Sequence, residues 1–235
     1  MNEFLNSIKI EEIYSFKLIS LKEICDFLEI WNDLSDDEKN LYEEIDNIPS
    51  IIKNSTIDRT AEDEFWEKFE DYYVYGEIKK EGVQNLSECL KEFSGNFYDI
   101  GSGNGKLLLH LSLISNFDSY TGIEISKPRH LYAKAIQSSI SISNDTITND
   151  YLNLEQKVKF ICDDVMNFDL SNADVVFYND VTFPDNFRNV LSEKMPSGCY
   201  YISAHLNEEE YLETIYLSVT WFDYEKNPFY LYKKK

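Results

Sequence analysis

The sequence predicts an α/β protein with a seven-stranded, doubly wound and mainly parallel sheet, preceded by a small helical N-terminal lobe. Three observations predict it. Phe97-Tyr98-Asp99-Ile100 is an apolar strand that breaks into Gly101-Ser102-Gly103-Asn104-Gly105, and after a helical run a second apolar stretch ends in Gly122-Ile123-Glu124. Short apolar runs then alternate with helical patterns, which implies crossover connections between parallel strands. Residues before about 75 show only helical spacing and carry much of the acidic excess.

In that N-terminal segment Ile24, Phe27, Leu28 and Trp31 stand at i, i+3, i+4 and i+7, the spacing of one helix face. Ser35-Asp36-Asp37-Glu38 is a capping-box pattern opening a second helix, and Thr60 can cap a third that carries Phe65, Trp66 and Phe69. Val83, Leu86, Leu90 and Phe93 predict an amphipathic helix before the first strand. Strand 97–100 leads to helix 105–115, and strand 119–125 to helix 127–138. Further strands are expected near 158–162, 174–178, 199–204, 215–222 and 228–233. No helical pattern separates the last two, and Asn227-Pro228 reads as the turn of a closing antiparallel hairpin. Residues 138–156, rich in Ser, Asn, Thr and Asp, read as an exposed loop or frayed helix end. The expected division is an acidic helical lobe over 1–74 and a sheet domain over 75–235.

The glycine turn is the strongest chemical signal. Glycine takes positive φ without strain and lets a ligand approach the main chain, while the helix that follows presents free N–H groups. Glu124, at the tip of the second strand, is placed to accept hydrogen bonds from ribose hydroxyls. Dinucleotide sites favour GxGxxG, with a third glycine beside the pyrophosphate; here that position is Lys106 and the pattern is DxGxGxG, from Asp99 through Gly101 and Gly103 to Gly105. The pattern resembles motif I of class I methyltransferases, whose cofactor S-adenosylmethionine carries ribose and adenine but no phosphate. The competing reading is a βα turn whose glycines serve packing alone.

Composition narrows the partners. A net charge of -21 with 43 acidic residues disfavours broad contact with a phosphate backbone and favours a basic protein, although such charge also simply confers solubility. The four cysteines, Cys25, Cys89, Cys162 and Cys199, are far apart and suggest neither a zinc site nor a disulfide framework. No metal site is expected: Asp163 and Asp164 are adjacent, and neighbouring strand residues face opposite ways. Met1 to Ile10 has no continuous apolar stretch, and no run approaches the roughly 20 residues of a membrane span. His110 reads as packed within a helix and His130 as facing solvent; His205 ends a strand without a serine motif to partner it. Glu208-Glu209-Glu210 reads as a charged helix start.

Read in order, Tyr75-Gly76-Glu77-Ile78, the glycine turn, Gly122-Ile123-Glu124-Ile125, Asp163-Asp164-Val165 and Val175 to Phe183 resemble the disruptor-of-telomeric-silencing family. Its members are non-SET methyltransferases with a class I fold that act on a core lysine of histone H3. The similarity runs from about Glu70 onward. It implies that Tyr75, Gly76 and Glu77 fold over the methionine end of S-adenosylmethionine. Asp99, Gly101 and Gly103, with Gly105 completing the turn, would hold the amino-acid moiety, and Glu124 the ribose. Asp164, or Asp163 in an alternative register, would receive the adenine amino group beside Val165. Asn179 would stand beside both the cofactor and the target amine. Trp221, Phe229, Tyr230 and Tyr232 would contribute to the lysine channel, for which Tyr72, Tyr73, Phe183 and Phe229 are candidate walls. The resemblance further implies catalytic roles for Tyr75, Asn179 and Phe229, a nucleosomal histone H3 partner and a nuclear location.

The chain departs from the family pattern at three places. Asp180 stands where members often have a second asparagine, Val165 where they often have an adenine-stacking phenylalanine, and Lys233-Lys234-Lys235 where they carry a longer basic extension. A lysine methyltransferase for a non-histone protein, or a cofactor-binding module without catalysis, is the alternative that these departures allow.

Overall fold

The computed structural model describes residues 10, 13–14, 20–46, 76–142, 156–181, 185–207, 211–220 and 227–235. Helix α1 spans Leu21–Phe27 and α2 spans Asp36–Asp46; α3 (Lys80–Cys89) precedes strand β1 (Asn96–Ile100). Then come α4 (Lys106–Ile114), β2 (Ser119–Glu124), α5 (Lys127–Ile142), β3 (Val158–Cys162), β4 (Val175–Tyr178), α6 (Asp185–Lys194), β5 (Tyr200–Ser203), β6 (Glu213–Leu217) and β7 (Asn227–Lys233).

The expected helix starts are built by their caps. Ser35 Oγ accepts from Glu38 N–H at 3.2 Å while the Glu38 carboxylate accepts from Ser35 N–H at 2.9 Å, which satisfies two otherwise orphaned donors. Ser20 and Glu23 form the same reciprocal pair at the start of α1. The α1 face differs from the one expected. Leu21, Ile24 and Cys25 are buried, whereas Phe27 is 44% exposed and Trp31 falls in a separate 3-10 turn. Two overlapping i, i+3, i+4 stripes run along this short helix, and packing against α2 and α5 buries the one that begins at Leu21. Glu38 forms an ion pair with Lys127 at the start of α5. That ammonium, with the Ser35 N–H and hydroxyl, holds the Glu38 carboxyl down at about 2. The helix expected after Thr60 lies outside the described residues, as do the 143–155 segment and Glu208-Glu209-Glu210.

The seven strands form one sheet in the order β3-β2-β1-β4-β5-β7-β6. The first five are parallel, and β7 runs antiparallel between β5 and β6. Strand alternation sends Phe97, Phe177, Ile202 and Phe229 to one face, under Val83 and Leu86 of α3 and Leu108 and Leu109 of α4. Tyr98, Ile100, Val176 and Tyr178 go to the other, against Leu191 of α6 and Met195. Each large apolar side chain buried in this way contributes roughly 1.5–3 kcal/mol. Asn227 and Pro228 do not form the hairpin turn. They begin β7, opposite Leu217 and Tyr216, ahead of the stretch that also pairs with β5. There the strand has one neighbour, and proline's missing N–H is tolerated.

Candidate functional site

The chain reverses its direction of winding between β1 and β4, which are neighbours although β2 and β3 lie between them in sequence. Helices from the two halves diverge at such a point, and the carboxyl ends of the strands frame a crevice. Four of the sequence-predicted segments meet there. The glycine turn leaves β1, Glu124 ends β2, Asp163 and Asp164 follow β3, and Asn179 follows β4.

The turn is shaped by its backbone. Gly101, Gly103 and Gly105 have φ of 76°, 52° and 74°. A Cβ on Gly105 would lie 2.4 Å from Phe160 Cζ and 2.9 Å from Ala133 Cβ, so this glycine also permits close approach to β3 and α5. Gly101 and Ser102 N–H groups donate to Ile123 C=O at 2.8 and 3.1 Å, joining the turn to β2.

Glu124 is 4% exposed. Its Oε2 accepts from Gly103 N–H and its Oε1 from Ser126 N–H, both at 2.8 Å. Burial raises its pKa, and these donors, with Ile125 N–H, oppose the rise. Asp99 is buried at the end of β1. Desolvation first, then the Glu124 charge, pushes its carboxyl up to about 8. A ligand ammonium entering here would meet two buried carboxyl groups.

Asp164 caps a 3-10 turn, its Oδ1 accepting from Met166 N–H at 2.9 Å; Asp163 Oδ1 accepts from Asp164 N–H at 2.8 Å. Both remain at the β3 edge, so the two registers stay side by side. Val165 is 6% exposed and packs with Ile123 and Leu170, offering core volume in place of a stacking surface. Asn179 Oδ1 is buried with no hydrogen-bond partner among the described residues. Such a group carries a desolvation cost that an incoming donor would relieve.

Asp180 is fully buried. Its Oδ2 accepts from Ser203 Oγ at 2.8 Å and lies 2.7 Å from Arg188 Nε, and its Oδ1 accepts from Ala204 N–H at 2.9 Å. The chain's departure from asparagine at this position thus comes with a matching cation from α6. Together they fix the β4 end on which Asn179 stands.

Glu77 points to Lys106, the first residue of α4, with Nζ 2.9 and 3.0 Å from its two carboxylate oxygens. Gly76 adjoins it, half-buried. Phe229 corrects the channel expectation. It is 1% exposed and stacks on Phe177 at 5.6 Å in the core beneath α3 and α4, so it supports the sheet and does not wall an open channel. Tyr232 stacks on Tyr201 at 4.9 Å, and its hydroxyl donates to His205 C=O while accepting from Asn207 N–H, which pins the loop after β5. Tyr72, Tyr73, Tyr75, Phe183 and Trp221 lie outside the described residues. His110 is buried beside Tyr14, as expected. His130 is not turned to solvent: burial, with Lys134 and Lys127 nearby, pushes its imidazole down to about 4. No cluster of metal-ligating side chains occurs among the described residues, and no described helix is long and apolar enough to cross a membrane. Sequence reasoning missed Lys106, Ser126, Arg188 and Ser203 as parts of the site. Only Lys106 had a signal, as the residue standing where a dinucleotide motif has glycine.

Strand order, switch-point crevice and acid-tipped β2 define the class I methyltransferase fold. The chain belongs to the histone methylation protein DOT1 family, whose model matches residues 53–214. Among solved structures, an RNA methyltransferase from Salinibacter ruber in complex with S-adenosyl-L-homocysteine is similar at 20% identity and a TM-score of 0.50, covering 67% of this chain and 92% of that one. An S-adenosylmethionine-dependent methyltransferase from Thiobacillus denitrificans, also bound to S-adenosyl-L-homocysteine, is 20% identical with a TM-score of 0.42, covering 54% and 48%. No curated protein sequence matches the chain.

Proposed function

We propose that this protein is an S-adenosylmethionine-dependent protein-lysine N-methyltransferase acting on a histone H3 core lysine. The observation that carries the proposal is the convergence of Asp99, Glu124 and Asn179 at one sheet edge in a DOT1-family chain. The residues present fit the cofactor. Asp99 would pair with its ammonium, Glu124 would accept from its ribose, Asp164 or Asp163 would receive its adenine amino group, and the glycine turn leaves room for its backbone contacts. When bound, the cofactor supplies an electrophilic methyl on sulfur.

The rest of the chemistry falls to the chain's own residues. A lysine ammonium has no lone pair, and neutralising it at pH 7 costs roughly 4–5 kcal/mol. Desolvation at the crevice offsets that cost by disfavouring the charged form. Asn179 Oδ1 can then accept a hydrogen bond from the neutral amine and direct its lone pair along the transfer line, a proximity effect that needs no strong base. The net charge of -21 supports a basic protein as substrate and little direct nucleic-acid contact, and nuclear placement follows from the histone reading. The same charge also suits a non-histone basic protein, the second reading.

Transfer of labelled methyl to nucleosomes, free H3 and an unrelated lysine-rich protein separates these readings, with Glu124→Ala as blank. Label on H3 that vanishes in the blank supports the proposal. Label on the unrelated protein alone favours the second reading, and none on any of the three, with S-adenosyl-L-homocysteine still bound, contradicts the histone proposal.

A further inference from the structure

Lys106 is an unexpected residue at its position. It occupies the first turn of α4, where the helix dipole favours anions, and its side chain is only 8% exposed. Burying an ammonium carries a desolvation penalty, so stability alone gives little reason for it. Its partner Glu77, 10% exposed, is held from the other side. Glu77 N–H donates to Thr220 Oγ1 and Glu77 C=O accepts from Thr220 N–H, both at 2.9 Å. Ile78 bridges Val219, and Lys79 N–H donates to Ser218 C=O at 2.8 Å. Gly82 seals the arrangement, since a Cβ there would meet Ser218 O at 2.7 Å.

Residues 77–79 are therefore laced to 218–220, and Glu77 is joined to the end of the glycine turn through the Lys106 ion pair, 29 residues away in sequence. We infer that the Lys106–Glu77 pair is a positioning latch that sets the 76–77 segment against the glycine turn and so preorganises the cofactor crevice. The inference rests on the reading of S-adenosylmethionine as ligand. It adds to the role expected of Glu77: both carboxylate oxygens engage Lys106, so Glu77 acts through the loop it places. Preorganisation of this kind appears in affinity, because less ordering of the segment is then left to the binding step.

The test is calorimetric binding of S-adenosyl-L-homocysteine to the full chain as wild type, Lys106→Met, Glu77→Gln, the double variant and Lys106→Arg, with thermal unfolding of each. The expected result is a loss of about tenfold in affinity for each single variant, a double variant no weaker than the worse single, and Lys106→Arg near wild type because it keeps the pair. A purely structural role would lower Tm and leave the affinity of the folded protein unchanged. Singles that bind like wild type, or losses that multiply in the double, overturn the latch. Should Lys106→Met not fold, the near-isosteric Glu77→Gln against Lys106→Arg makes the same comparison. A wild type that binds nothing overturns the ligand reading itself, a result distinct from wild-type binding that the variants leave intact.

Discussion

Glu124 Oε2 accepts a hydrogen bond from Gly103 N–H at 2.8 Å, so the acid at the tip of β2 also holds the turn that leaves β1. The two parts of the nucleotide-type motif are one hydrogen-bonded unit. Glu124→Gln is expected to lose about 1–3 kcal/mol of stability, because its amide NH2 must face a backbone donor in a buried site. S-adenosyl-L-homocysteine affinity should fall with it. Chemical denaturation paired with calorimetry checks both, and unchanged affinity would remove Glu124 from the ligand site.

Asp99 makes ligand binding pH-dependent. Its carboxyl, pushed up to about 8 by burial and Glu124, is largely protonated in the empty protein at pH 6, whereas pairing with a ligand ammonium requires it ionised. Binding must then release a proton, so affinity should rise with pH between 6 and 7, by up to about tenfold per unit. The linkage to folding has the opposite sign. A carboxyl raised above its unfolded value stabilises the empty protein at low pH, and that contribution is lost as pH climbs from about 4 to about 8. Buffers of different ionisation enthalpy reveal the proton, and Asp99→Asn should flatten the pH profile.

Two glycines with the same backbone problem differ in their surroundings. A Cβ on Gly105 (φ 74°) would run into Phe160 and Ala133, whereas one on Gly198 (φ 86°) would have nothing within 4 Å. Gly198→Ala should cost about 1 kcal/mol for the left-handed backbone alone. Gly105→Ala should cost roughly 3 kcal/mol or more, since overpacking adds to that strain. Equal losses in urea denaturation would show that the packing at Gly105 relaxes freely.

Arg188 lies 2.7 Å from a fully buried carboxylate oxygen of Asp180. Arg188→Leu should destabilise by about 3 kcal/mol or more, because it strands that charge. Arg188→Leu/Asp180→Asn should recover part of the loss, and a double-mutant cycle in urea measures it. Additive losses would mean that the two residues act independently.

Much of this architecture was legible in one chain. The glycine turn, the acid-ended β2 and the strand spacing are local patterns set by backbone geometry, and they located β1 to β5 within a residue or two. Phe27 and Asn227-Pro228 were misread for a common reason. Local periodicity and turn propensity do not show which neighbour covers a surface; α2 with α5 decides the first case and β6 the second. Lys106–Glu77 and Asp180–Arg188 were invisible because each joins segments that only the folded sheet brings together. Phe229 could be marked as aromatic, but only the stack on Phe177 shows which face it serves.

Mass spectrometry of H3 from nucleosomes incubated with S-adenosylmethionine and either wild type or Asn179→Ala tests the central claim most directly. The account predicts one or more methyl increments on a core lysine with wild type and their near-complete loss with Asn179→Ala, while S-adenosyl-L-homocysteine binding persists. Unmodified H3 with an active, cofactor-binding wild type would contradict the histone assignment, and undiminished methylation by Asn179→Ala would contradict the site.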